Sequence, residues 1–172
     1  MANVNNPFGF IPVAHLNGGD SFRTQTMRLA SGYATSIYTG DPVKLVSGKI
    51  ERCAATDTPD GVFVGVKYTS ANGEVQYENT WEASTVTKGA VDAEARVITD
   101  KEVLFEAQFT GTPTVASIGS SFTITTTAGA VDGRSKIGVT TTTTNGHYKL
   151  NDFVKDSENE IGQYARGLFV LA

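Results

Sequence analysis

An acidic run, two glutamates, two histidines and one cysteine are the residues whose types and spacing bear on chemistry. Between Asp152 and Gly162, Asp156, Glu158 and Glu160 recur at every second position, as ligands do in a calcium loop. The glycine and the distal bidentate glutamate are not at the spacing an EF-hand needs, so the run reads as a solvated loop, with a structural calcium as the alternative. Glu78 and Glu82 have the residue type for a glycosidase pair, yet they fall on the polar face of one expected strand and nothing marks a cleft. His15 and His147 are the only histidines, and no nucleophile elbow, H-E-x-x-H or P-loop occurs to give either a partner. Cys53 is the single cysteine, so no intrachain disulfide forms, and in Lys49-Ile50-Glu51-Arg52-Cys53-Ala54-Ala55 it reads as a small apolar strand residue. The residues therefore assign no catalytic group, no metal site and no cofactor, and the expectation is a protein that is not an enzyme.

Composition narrows the partners. The 172 residues carry a net charge of −4, which argues against binding nucleic acid through its phosphates and against docking on anionic membranes. No apolar run approaches the length of a membrane span. The opening Met-Ala-Asn-Val-Asn-Asn lacks the basic and apolar regions of a secretory signal, so the expected place of synthesis and folding is a cytoplasm.

The elements expected to position these residues are strands. Val103, Phe105, Ala107 and Phe109 alternate with Leu104, Glu106, Gln108 and Thr110, the period-2 pattern of a half-buried strand. Val75, Tyr77, Asn79, Trp81 and Ala83 read as the apolar face of another, with Trp81 packed in the core beside Tyr77. Phe122 and Ile124 mark a third. Val62-Phe63-Val64-Gly65-Val66-Lys67-Tyr68 is apolar on both faces in its first half and reads as a central strand. Residues 43–46, 49–54, 95–99, 136–143, 147–152 and 167–171 complete the expected set. Asn72-Gly73 and Asn145-Gly146 are expected as type I′ hairpin turns, with Ser47-Gly48 and Asp132-Gly133 as weaker copies. The Thr140–Thr144 run reads as a water-facing strand or loop edge, with a hydroxyl array that binds ice or sugar as the alternative, which would need several such ranks in register. One short helix is expected from a Thr112 cap and Pro113 to Gly119, and another turn of helix over residues 33–38. The fold class is all-β: an antiparallel barrel or sandwich body with at most one or two short helices.

The opening does not fit the alternation. Asn6-Pro7-Phe8-Gly9-Phe10-Ile11-Pro12-Val13-Ala14-His15-Leu16-Asn17-Gly18-Gly19 has too many prolines and glycines for a helix and is too apolar for an ordinary disordered tail. The reading is an extended N-terminal arm over residues 1–23 ahead of a single body over residues 24–172. Phe8, Phe10, Ile11 and Leu16 must be buried either on the chain's own body or on a partner, and Pro7, Phe8, Phe10, Ile11, Pro12 and Leu16 are the expected contacts with a partner or neighbouring subunit.

Taken in order, the arm, Gly40-Asp41-Pro42-Val43-Lys44-Leu45, Asp60-Gly61-Val62-Phe63-Val64-Gly65-Val66 and Asp100-Lys101-Glu102-Val103-Leu104-Phe105-Glu106-Ala107-Gln108 form a recognisable series. It continues through Ile118-Gly119, Gly133-Arg134-Ser135 and the Asp156–Gly162 run. Across nearly the whole chain this series resembles the decoration, or head-cement, proteins of tailed bacteriophages, whose openings are similar to Pro7-Phe8-Gly9-Phe10, Pro12-Val13 and His15-Leu16. The resemblance implies a β-rich virion protein on the outer capsid surface, bound to the major capsid protein and to copies of itself, commonly as a trimer. Two other readings share the look of the chain: a tail or fibre-attachment component, and a carbohydrate-binding β-sandwich, which predicts exposed coplanar aromatics among Tyr68, Tyr77, Trp81 and Tyr148. An enzyme, with a glycosidase as its best form, is the remaining class.

Overall fold

The computed structural model describes residues 3–127, 129 and 132–172. The chain is all-β, and among the described residues the only helical pieces are single 3₁₀ turns at Lys88–Ala90 and Val115–Ser117. A five-stranded antiparallel sheet is built from β1 (Ile11–His15), β10 (Val103–Gln108), β13 (Arg166–Leu171), β12 (Tyr148–Phe153) and β11 (Ser121–Phe122), in that spatial order. A six-stranded sheet runs β2 (Gln25–Leu29), β9 (Ala93–Ile98), β6 (Gly61–Thr69), β4 (Pro42–Val46) and β5 (Lys49–Arg52), with β7 (Val75–Glu78) paired to the far end of β6. The short β3 (Ile37–Tyr38) pairs with β8 (Thr80–Trp81).

Two cores result, and β6 belongs to both. Val62 packs with Phe105, Phe109, Phe169 and the rest of the first core, whereas Phe63 and Val66 face the second, around Trp81, Leu29 and Ile37. Strict alternation would send Phe63 and Val66 to opposite faces. A register shift between Phe63 and Gly65 absorbs one residue at Val64 and restores the phase. The doubly apolar first half of this strand thus has its expected central place. Ile98 of β9 joins Val62 in the first core while Ala93, Ala95 and Val97 enter the second.

A buried ion pair sits at the start of β4. Asp41 is wholly buried, its Oδ2 accepting from the Tyr38 N–H at 2.9 Å and lying 3.3 Å from Arg52 Nε. Arg52 Nη2 also donates to the carbonyls of Thr126 and Thr127. Burial pushes the Asp41 carboxyl up, against the downward pull of Ser135, the Tyr38 amide and Arg52. This group ties β3, β4 and β5 to Thr126, Thr127 and Ser135.

Several expectations are corrected. Val75 to Ala83 is two strands, not one: pairing breaks at Asn79, so Tyr77 is 69% exposed while Trp81 is fully buried. Residues 33–38 hold no helix; Ile37 is drawn into the second core as strand β3 opposite Trp81. The Thr112 helix is reduced to the one turn at Val115–Ser117, where Thr114 N–H donates to Ser117 Oγ at 3.1 Å and Gly119 ends it at φ +88°. So short a segment, rich in β-branched residues, has too few turns to offset helix nucleation. Residues 136–143 form no strand; Val139 makes isolated bridges to Phe109 and Ile124. Thr140 Oγ1 meets Thr123 Oγ1 at 2.7 Å, and residues 141–144 form the exposed loop edge.

The turns also redistribute. Ser47 and Gly48 both take positive φ between β4 and β5, so the hairpin that needs a type I′ turn is this one. At Asn72-Gly73 only the glycine has positive φ. There Gly73 N–H donates to Ser70 and Ser70 N–H to Glu74, the longer loop with a glycine bulge. Asn145-Gly146 has positive φ at Asn145 alone and leads into β12, whose ladder partners are β11 and β13.

Candidate docking surface

The opening segment lies on the body, and its residues divide between core and surface. Residues 3–6 are held by amides. Gln108, only 5% exposed, accepts from the Asn6 N–H at 2.8 Å and donates to the carbonyls of Val4 at 2.8 Å and Tyr164 at 3.0 Å. Asn3 donates to the carbonyls of Glu160 and Gln163 and accepts from the Glu160 N–H. Asn6, Phe8, Gln108, Tyr164 and Arg166 line an open cleft of about 480 Å³ beneath this segment.

Gly9 then brings the backbone against the body. It takes φ +77°, and a Cβ there would lie 2.5 Å from Ser135 Cβ and 2.8 Å from the Gly40 carbonyl. Only glycine meets both conditions. Hydrogen bonds from Gly9 N–H to Ile137 and from Phe10 N–H to Gly40 fix the passage. Phe10 drops into the first core at 1% exposure, stacked on Tyr148 at 4.9 Å and edge-on to Phe105 and Phe169. This corrects the placement of Phe10 among the partner contacts: its ring is filled in by its own chain. Ile11–His15 is the edge strand β1, paired with β10, so this part of the expected arm lies in the sheet of its own body, one of the two places the sequence left open.

The other expected contact residues do reach the surface. Ile11 and Leu16 are each 47% exposed and Val13 is exposed beside them, while Pro7, Phe8 and Pro12 are half-buried. Pro12 lies opposite Phe105, and the register shifts between Pro12 and Ala14, which leaves Val13 as the bulged residue. Proline and a bulge on an edge strand both discourage unplanned pairing with another strand. Ile11 shares its face with Glu106, and Ala14 with the half-buried Leu104. The result is a strip of exposed aliphatic side chains, Ile11, Val13 and Leu16, at one edge of the five-stranded sheet.

The chemistry-bearing residues serve structure. Asp156 accepts from Arg166 at 2.6 Å, which holds its carboxyl below the usual range, and Arg166 also binds Glu106 at 3.0 Å. The carboxylate closest to a calcium-ligand role is therefore engaged by a guanidinium. Among the described residues no three His, Cys, Asp or Glu side chains are placed to hold a metal ion. Burial, with the nearby Glu78 carboxylate, pushes the Tyr68 phenol up, and Glu82 lies beyond the break after β7, so the two glutamates do not share a strand. The Cys53 thiol is buried beside Tyr148 and pushed up to about 12 by burial, far from thiolate reactivity. His15 Nε2 donates to the Ser21 carbonyl at 2.9 Å and its ring stacks on Phe22, while His147 lies 3.5 Å from Thr58 Oγ1. Trp81 and Tyr148 are fully buried and Tyr68 sits edge-on to Trp81, so of the four aromatics proposed for a sugar platform only Tyr77 is well exposed.

Two features escape a reading of the sequence: the Gln108 clamp and the Asp41–Arg52 pair. Gln108 is an ordinary polar position of an alternating strand, and Asp41 and Arg52 lie eleven positions apart with no shared motif. No known protein family matches the chain, and neither a curated protein nor a solved structure is detectably similar to it.

Proposed function

We propose that this chain is a virion structural protein that binds the outer surface of a tailed-phage capsid and cements neighbouring capsid subunits, stabilising the expanded, DNA-filled head. The observation that carries the reading is the edge strand β1, which Phe10 anchors in the core while Ile11, Val13 and Leu16 face outward. The resemblance of the ordered motifs to head-cement proteins supplies the capsid as partner. A pre-formed apolar strip loses little conformational entropy on docking, the condition under which a modest contact still binds.

The mechanism is mechanical. A shell packed with DNA is pushed outward and fails where its subunits meet. A protein that touches two subunits at once makes the second contact at high effective concentration, so weak contacts add to a strong bridge without new chemistry. A trimer of this chain, the expected assembly, would present three strips. The mild net acidity is compatible with a position outside the shell, away from the genome.

The test is co-sedimentation with expanded empty capsids. Burying each half-exposed aliphatic side chain contributes on the order of 1 kcal/mol, so changing Ile11 and Leu16 together to serine is expected to weaken shell binding by about tenfold or more. The same change leaves the melting temperature within a few degrees, because neither side chain is in a core. Unchanged occupancy on the shells would remove the strip from the binding surface.

A further inference from the structure

A bridging protein needs two binding faces, and β1 supplies one. The second emerges from cross-strand register. Residues directly opposite in a ladder share a face. Arg28 lies opposite Glu94, Glu94 opposite Lys67 and Lys67 opposite Tyr77, which sets one row across β2, β9, β6 and β7. The next row runs from Thr26 to Arg96 to Gly65. These rows form an outer face across β2, β9, β6 and β7, and apart from Gly65 every residue in them is exposed; the opposite face holds Leu29, Ala93, Ala95 and Val66 in the second core.

The charges on this face are unbalanced. Arg28, Lys67 and Arg96 stand against Glu94 alone, on a chain whose net charge is −4. Glu94 is engaged by Lys67 at 3.7 Å, and Lys67 also lies over the Tyr77 ring at 5.8 Å. Arg28 and Arg96 have no hydrogen-bond or ion-pair partner among the described residues. Gly65 leaves room for Arg96: a Cβ there would sit 3.2 Å from Arg96 Nη2 and 3.0 Å from the Glu78 carbonyl. The guanidinium therefore lies across β6 instead of standing away from the sheet. At the β7 end, Val75 and Tyr77 are 55% and 69% exposed. Exposed tyrosine and arginine side by side are the residues that most often carry binding energy at protein interfaces. A guanidinium presents a planar fork that matches a carboxylate.

We infer that this face is a second docking surface, and that its occupant is an acid-bearing patch of the capsid shell, with carboxylates received by Arg28 and Arg96 and an apolar contact made on Val75 and Tyr77. The inference rests on the proposed capsid binding and adds the site and its partner's chemistry. Three cations are too few for phosphate-backbone binding by a chain of this charge, which favours a protein surface over nucleic acid.

The experiment measures the affinity of the full chain for expanded empty capsids across a salt series, for wild type, Arg28→Glu/Arg96→Glu and Arg28→Lys/Arg96→Lys. Light scattering of each free protein gives its oligomeric state. The expected result is a loss of about tenfold or more for the glutamate variant at low salt, a shallower salt dependence, and partial recovery with lysine. Both arginines are exposed and unpaired, so the variants are expected to melt with the wild type. Wild-type binding that the glutamate variant matches at every salt concentration overturns this inference and leaves the capsid reading intact. A glutamate variant that falls to a smaller oligomer while each subunit binds shells unchanged assigns the face to contacts between copies, and also overturns it. Wild type that ignores shells overturns both.

Discussion

Phe10→Ala is expected to lower the unfolding free energy by about 3–5 kcal/mol, the range for deleting a fully buried phenylalanine. The ring contacts three aromatic neighbours, Tyr148, Phe105 and Phe169, all in the first core. Collapse of the cavity is opposed from two sides. Tyr148 and Phe169 are fixed in the β12–β13 ladder, and the backbone at Gly9 is held against Ser135 and Gly40. The loss would be a large share of the total, since a domain's stability is typically about 5–15 kcal/mol. Chemical denaturation of Phe10→Ala beside Phe8→Ser measures it. Phe8 is only half-buried, so its variant should lose much less. A Phe10→Ala protein within about 1 kcal/mol of wild type would mean that the opening segment does not belong to the core of its own chain.

Asp41→Ala is the second large effect, expected at about 3 kcal/mol, because it leaves the Arg52 guanidinium, with only 11% of its side chain exposed, without its carboxylate. It also removes the acceptor of the Tyr38 N–H at the end of β3. Arg52 keeps its bonds to the Thr126 and Thr127 carbonyls, which compensate only part of the charge. The pH dependence has a definite sign. The folded pKa of Asp41 lies above its unfolded value, near 3.8. Ionising this group is therefore costlier folded than unfolded, and its contribution to stability falls as pH rises from the unfolded pKa through the raised folded one. Asp41→Asn keeps the shape and abolishes that titration. Its stability difference from wild type should therefore change across this acid window and be constant above it. Unfolding free energies of the two variants and wild type between pH 3 and 7 measure both effects. A difference that is flat over the whole range would contradict the raised value.

The strand pattern was legible wherever one face of a strand meets a core. Val103, Phe105, Ala107 and Phe109 alternate in sequence because β10 is flanked on both sides within its sheet and buries that one face. Legibility failed where irregularity does the positioning. The bulge at Val64 and the break at Asn79 change the phase of their strands, and nothing local in the sequence announces a one-residue shift. The opening segment is ambiguous for a related reason. Its glycines and prolines exclude a helix but do not say whether the apolar side chains are buried on the chain itself or on a partner; Gly9 lets the chain pass close to Ser135, and Phe10 follows it inward. The surface was partly legible. The exposed side chains Ile11 and Leu16 came from the apolar character of the opening. Arg28 and Arg96 come together only through the β2–β9–β6 register, which a linear reading does not contain.

The proposed cementing of capsid subunits is tested by the temperature at which expanded capsids rupture with and without the protein. Shells saturated with the protein are expected to break at a higher temperature than bare shells, and the gain is expected to shrink when Ile11 and Leu16 are changed to serine. Shells that take up the protein yet rupture at the bare-shell temperature would contradict the cementing role.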